Sequence, residues 1–158
     1  MTRKFDFRPA PPDRTLTTLD QVKTWMHQSG CNFIGYQIGH ASIDEGYILR
    51  QERGEFTWSY SERGKITRLE TFDDEASAVA FAVQRICEDA WACSHSIGIA
   101  KNPRVLTEII STLDARRIAY FQDEIPYGGP NDPRYRVFVH GKHAAQVADL
   151  REKYRSFD

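Results

Sequence analysis

Long apolar runs and any large excess of charge are missing from this chain, and cysteine is scarce. No stretch approaches the ~20 apolar residues that a bilayer span requires. The amino terminus, Met-Thr-Arg-Lys-Phe-Asp, has no apolar core of the kind a secretory signal carries. Both absences predict a cytoplasmic protein that makes no use of a membrane. Cys31, Cys87 and Cys93 are an odd set in a chain without an export signal. Reduced thiols are expected rather than a disulfide framework. The formal charge is −1, with no basic stripe along any segment, so the electrostatic footprint of a nucleic-acid binder is absent. There is no internal repeat and no low-complexity stretch.

What is present is an ordinary globular composition. The chain has 158 residues, of which 41% are hydrophobic and 27% charged. A chain of this size buries roughly 70% of its extended surface on folding, enough for a core without staples. One domain over residues 17–158 is therefore expected. It is preceded by a poorly ordered arm, 1–16, which is basic (Arg3, Lys4, Arg8, Arg14) and carries Pro9, Pro11 and Pro12. Charge is unevenly spread: residues 31–75 hold nine acids against five bases, a local net of −4. A mildly acidic face of this kind suits a basic protein partner.

Hydrophobic periodicity predicts the class α+β. A first helix begins at Thr17-Thr18-Leu19-Asp20, where a threonine can cap the first turn, with Leu19, Val22, Trp25 and Met26 at helical spacing and Ser29-Gly30 as the stop. From Cys31 to Leu69 the pattern changes to short runs of aromatic and β-branched residues broken by glycine. An antiparallel β-meander is expected there, with strands near 33–38, 46–51, 56–60 and 65–69. Phe56, Trp58 and Tyr60 share one face of the third strand, and Thr57 and Ser59 form a polar opposite face. Trp58 and Tyr60 are assigned to the core, because the helix is expected to cover the aromatic face. Asp73-Asp74-Glu75 opens a second helix with the apolar stripe Ala76, Val79, Ala80, Val83, Ile86 and Cys87. The C-terminal part reads as α-β-β-α: a helix from Asn102-Pro103, strands near 117–121 and 135–140 joined by a Gly/Pro-rich loop, and a last helix near 142–154.

Chemistry-bearing residue types occur, but not at the spacings that chemistry needs. His140-Gly141-Lys142-His143 pairs two imidazoles without an acid at ligand spacing, and reads as a surface turn. Cys87, Cys93 and His95 offer soft donors in an order that matches no common zinc site. Gly128-Gly129 lies between strands instead of opening a helix, so it does not cradle phosphate. No cofactor and no metal is expected.

One segment resembles a known family. Trp58-x-Tyr60, then Ser61-Glu62-Arg63-Gly64, then Phe72-x-x-Glu75-Ala76 opening a helix, is similar to the bacterial immunity proteins that neutralise polymorphic or contact-dependent-inhibition toxins. The similarity covers roughly residues 46–89. It implies a cytoplasmic inhibitor with no catalytic residues, whose partner is the C-terminal domain of a cognate secreted toxin, for instance a nuclease, held with its active site blocked. Asp44, Glu45, Glu52 and Glu55 are the candidate acidic rim of such an interface, and Tyr127 and Asn131 are candidate contacts in the long loop. Two other readings compete. One is a small enzyme using His140 or His143 with Asp123 or Glu124. The other is a regulatory module that binds a ligand on the sheet near Trp58.

Overall fold

The computed structural model describes residues 6–155. Among them are four α-helices and two sheets, a mixed α+β arrangement in which neither sheet closes into a barrel. Arg8–Ala92 form one compact unit; the described residues from Cys93 onward, together with Asp6 and Phe7, form the other. No helix of the described residues is long and apolar enough to cross a membrane.

The Arg8–Ala92 unit opens with α1 (Leu19–Gln28). Thr18 caps it: its hydroxyl accepts from the Gln21 amide at 3.2 Å, while Gln21 Oε1 accepts from the Thr18 amide, closing a capping box. Val22, Trp25 and Met26 are buried, and Trp25 Nε1 donates to the Ala10 carbonyl at 3.1 Å. That bond, with the burial of Pro9 and Leu16, fixes the path of the proline-containing segment ahead of the helix.

The first sheet runs in the order β1 (Tyr36–Ile38), β2 (Glu45–Glu52), β3 (Glu55–Glu62), β4 (Lys65–Phe72). The pairs β2–β3 and β3–β4 are antiparallel, but β1 joins β2 in parallel, so the meander expectation fails at its first strand. A parallel pair normally needs a crossover of a dozen or more residues. Here β1 is only three residues long, so the segment 39–44 has little strand to travel back along. The anticipated start near Phe33 is lost because Phe33 sits at φ +58°, outside the extended region. Both hairpins turn on the same dipeptide: Arg53-Gly54 at φ +51° and +81°, and Arg63-Gly64 at +51° and +80°. Two successive left-handed residues are what a type I′ turn demands. Where β1 meets β2, Gly46 is at φ +141°, and a Cβ there would lie 2.6 Å from the Gly35 carbonyl oxygen.

The helix α2 (Glu75–Glu88) is capped by Asp74, whose carboxylate accepts from the Ser77 amide at 2.8 Å. Its buried stripe is Ala78, Val79, Ala82 and Ile86; Ala76 and Ala80 are exposed. The expected stripe is therefore rotated by about one residue, because four alanines at alternate positions support either phase. Phe81 is turned to the sheet and lies edge-on to Trp58, with ring centroids 5.9 Å apart. Trp58 is core, as its face predicts, whereas Tyr60 is only half-buried. Thr57, Ser59 and Ser61 on the other face are also buried, and Ser61 Oγ donates to the Asp44 carbonyl at 3.2 Å. The polar face is thus buried as well as the aromatic one, which small hydroxyls bonded to nearby main chain tolerate.

In the second unit the sheet order is β5 (Ser94–Ala100), β7 (Arg134–His140), β6 (Tyr120–Ile125), antiparallel throughout. The expected α-β-β-α order holds from Asn102 onward, and β5 precedes it as a strand that the sequence pattern did not place. The helix α3 (Pro103–Ala115) is capped by Asn102 with Pro103 in its first turn. Arg117, at φ +58°, ends it, and the Ile118 amide returns to the Leu113 carbonyl at 3.0 Å. Those residues complete the helix stop, so the following strand begins at Tyr120 rather than at residue 117. The last helix splits into a 3-10 helix, Gly141–Val147, and a short α4, Ala148–Lys153. Ile97, Ile109, Leu113, Val137, Val139 and Leu150 belong to the core that these elements share.

Candidate functional site

The most chemically distinctive surface of the Arg8–Ala92 unit is a cleft of about 680 Å³ between the aromatic face of the first sheet and the C-terminal half of α2. Strand pairing builds its sheet side. Tyr36 stands opposite Tyr47 in the β1–β2 pair, and Leu49 opposite Trp58 in the β2–β3 pair, so three aromatic rings from three strands share one face. Tyr47 stacks on Trp58 with centroids 5.1 Å apart and planes inclined by 15°, and on Tyr36 at 6.1 Å. Trp58 is the floor, 3% exposed; Tyr47 at 37% and Leu69 at 49% stand at the mouth.

A β-bulge supplies the next two side chains. The β3–β4 register slips between Trp58, which faces Glu70, and Ser59, which faces Arg68, leaving Leu69 as the extra residue. Strict two-residue alternation would send Leu69 and Glu70 to opposite faces. With the bulge, both line the cleft. The helix side follows helical spacing: Phe81, Arg85 and Glu88 recur at i, i+4 and i+7, and Asp89 is the C-cap. The Arg85 guanidinium lies over the Phe81 ring, 5.0 Å from its centroid.

At the inner end, the Tyr36 hydroxyl donates to Asp89 Oδ2 at 2.6 Å, while Asp89 Oδ1 accepts from the Trp91 amide at 2.8 Å. Burial, and then the Asp89 carboxylate, push the Tyr36 phenol far above the usual tyrosine range. Tyr36 is therefore a fixed hydrogen-bond donor rather than an acid at neutral pH. Of the charged groups on the lining, Glu70, Glu88 and Asp89 oppose Arg85 alone. The arrangement is an apolar aromatic floor under a rim with a net negative charge.

The residues singled out from the sequence fall elsewhere. Asp44 and Glu45 are exposed beside the start of β2, where Glu45 faces Glu62 and accepts from the Tyr60 hydroxyl at 3.4 Å. Glu52 and Glu55 stand at the opposite end of β2–β3, roughly 23 Å away at the usual rise per strand residue, and do not share a rim with the first two. They also have partners: Arg50 and Arg68 bind Glu52, and Arg68 lies 3.8 Å from Glu55. Those arginines hold the Glu52 carboxyl below the usual carboxylate range against the opposing effect of burial. Tyr127 and Asn131 are exposed in the second unit.

Tyr127 lines a second cleft of about 850 Å³ beside β5 and α4. Its ring covers Arg134, 4.8 Å from the guanidinium carbon, and Arg134 is paired with Asp132. Arg155, on the same lining, pairs with Glu152 at 3.0 Å. Two of the positive groups there thus already have carboxylate partners.

The histidines and carboxylates of the enzymatic reading are held apart. His140 Nδ1 accepts from the Lys142 amide at 3.1 Å as the cap of the 3-10 helix, and His143 meets Gln146 Oε1 at 2.6 Å. Asp123 faces Arg136 and accepts from its Nε at 2.8 Å, four strand positions, or roughly 13 Å, from His140. Glu124 is exposed opposite Tyr135. Among the described residues no three His, Cys, Asp or Glu side chains are grouped to hold a metal ion. All three cysteines are thiols, Cys31 and Cys93 buried and Cys87 half-buried.

Compared with family models, with curated proteins and with solved structures, the chain matches none.

Proposed function

We propose that this chain is an immunity-type protein, which binds the C-terminal domain of a cognate secreted bacterial toxin in the cytoplasm and neutralises it by covering its active site. The observation that carries the reading is one of position. Apart from Tyr36, every residue lining the aromatic cleft comes from residues 46–89, the segment that resembles the immunity families. An open cleft with large aromatic anchors and a charged rim is the anatomy of a protein-binding hot spot. The rim's net negative charge suits a basic partner, such as a domain that acts on nucleic acid. Binding, not catalysis, is the work assigned to these residues.

The test is co-expression. Cells making the toxic C-terminal domain of a large secreted protein encoded beside this gene should grow when the chain is present, and the two proteins should co-purify. Failure of rescue with both proteins expressed in soluble form would overturn the proposal.

A second reading rests on the cleft's size, which lies within the roughly 300–1,000 Å³ of small-molecule sites. It treats the protein as a ligand-binding regulatory module. Native mass spectrometry that shows a stoichiometric small molecule carried through purification would favour it.

A further inference from the structure

We propose that the aromatic cleft is shaped to seat an arginine side chain projecting from a basic partner protein. The inference rests on the partner-binding reading above and adds the chemistry of the anchor. The floor, Trp58 and Phe81, and the mouth, Tyr47 and Leu69, present apolar surface suited to an aliphatic stem. The rim offers Glu70 from the bulged strand and Glu88 from the facing helix, both exposed, so that carboxylates stand on two walls of one cleft.

A group that packs flat on rings and binds carboxylates through several donors at once is a guanidinium. An ammonium is a compact, strongly hydrated point charge with a poorer match to such a site. The chain already shows the packing half of this arrangement, since its own Arg85 lies over Phe81 at 5.0 Å. That leaves the remaining carboxylates in excess. Asp89 is engaged by Tyr36 and Trp91, and Glu88 Oε1 accepts from Gln84 Nε2 at 3.3 Å, so Glu70 and the second oxygen of Glu88 are the acceptors offered to a visiting cation.

The experiment uses the full chain with N-acetyl-arginine amide as probe and N-acetyl-citrulline amide, its uncharged counterpart of equal length, as control. Amide and indole N–H resonances are followed by NMR. Saturable shifts at the Glu70 amide and the Trp58 indole are expected with the arginine probe. Binding should be weaker by about tenfold or more with citrulline, and by a similar factor in the Glu70→Gln/Glu88→Gln variant. These two carboxylates are exposed, so the variant should keep the wild-type spectrum elsewhere. Equal shifts with the two probes, or undiminished binding in the variant, would overturn the inference.

Titration of the same variant against the toxin domain separates this inference from the reading beneath it. Toxin binding that is undiminished in the variant removes the arginine anchor and leaves the immunity reading intact. Probe binding without any toxin binding upholds the cleft chemistry and removes the immunity reading.

Discussion

Replacing Tyr36 with Phe would take one hydroxyl out of the cleft while leaving the ring that stacks on Tyr47 in place. The hydroxyl donates to the Asp89 carboxylate at 2.6 Å, and hydrogen bonds to charged groups contribute about 1.5–3 kcal/mol. Asp89 is only half-buried, so water can reach the vacated oxygen, and the lower end of that range, about 1.5 kcal/mol, is the expected loss. Urea unfolding of the wild type, Tyr36→Phe, Asp89→Ala and the double variant should give a coupling energy of about 1 kcal/mol or more, with unchanged m-values for the Tyr36 pair.

The same bond fixes a pH dependence. The folded-state pKa of Tyr36 lies above its unfolded value, so the folded state holds the phenolic proton more tightly. The resulting stability is fully present below the unfolded pKa of about 10 and is lost as pH rises beyond it. Tyr36→Phe has no such proton. The stability gap between wild type and variant should therefore narrow above pH ~10, by up to about 1.4 kcal/mol per unit. A coupling energy below about 0.3 kcal/mol, or a gap that stays constant through the alkaline range, would refute the role given to this pair.

Two further predictions address the frame that holds the cleft. Gly46→Ala should cost about 2–3 kcal/mol, because the new Cβ would meet the Gly35 carbonyl at 2.6 Å in a backbone conformation that favours glycine. A variant with unchanged denaturation midpoint would rule out that close approach. Arg63→Asn should stabilise the protein by about 0.5 kcal/mol or more, since asparagine adopts the left-handed conformation of a type I′ turn at lower cost than arginine. Destabilisation in the same urea assay would mean that the Arg63 side chain contributes a contact beyond its turn.

Much of the frame was legible because its signals are local. Thr18 and Asp74 cap their helices as their spacing to the following apolar residues requires, and the two Arg-Gly dipeptides mark hairpins. The site was much less legible. Its acids were sought where acids are dense, at Asp44, Glu45, Glu52 and Glu55, yet β pairing spreads these over both ends of one hairpin and gives two of them to arginines. Glu70 enters the cleft only through a bulge, a one-residue slip that leaves no mark in an alternating pattern. Phe81, Arg85 and Glu88 do recur at helical spacing, and that signal was available. It was hidden by the alternate alanines of α2, which allowed the stripe to be placed one residue out of phase. The parallel pairing of β1 was illegible for another reason: a three-residue strand carries too little sequence to declare its direction. The division after Ala92 has no glycine- or proline-rich linker to announce it.

If this chain acts by gripping one toxin domain, titration calorimetry of the purified pair will register the binding. One-to-one binding in the nanomolar range is expected, with inhibition of the toxin at the same stoichiometry. An absence of measurable heat at micromolar concentrations of two folded proteins would contradict it.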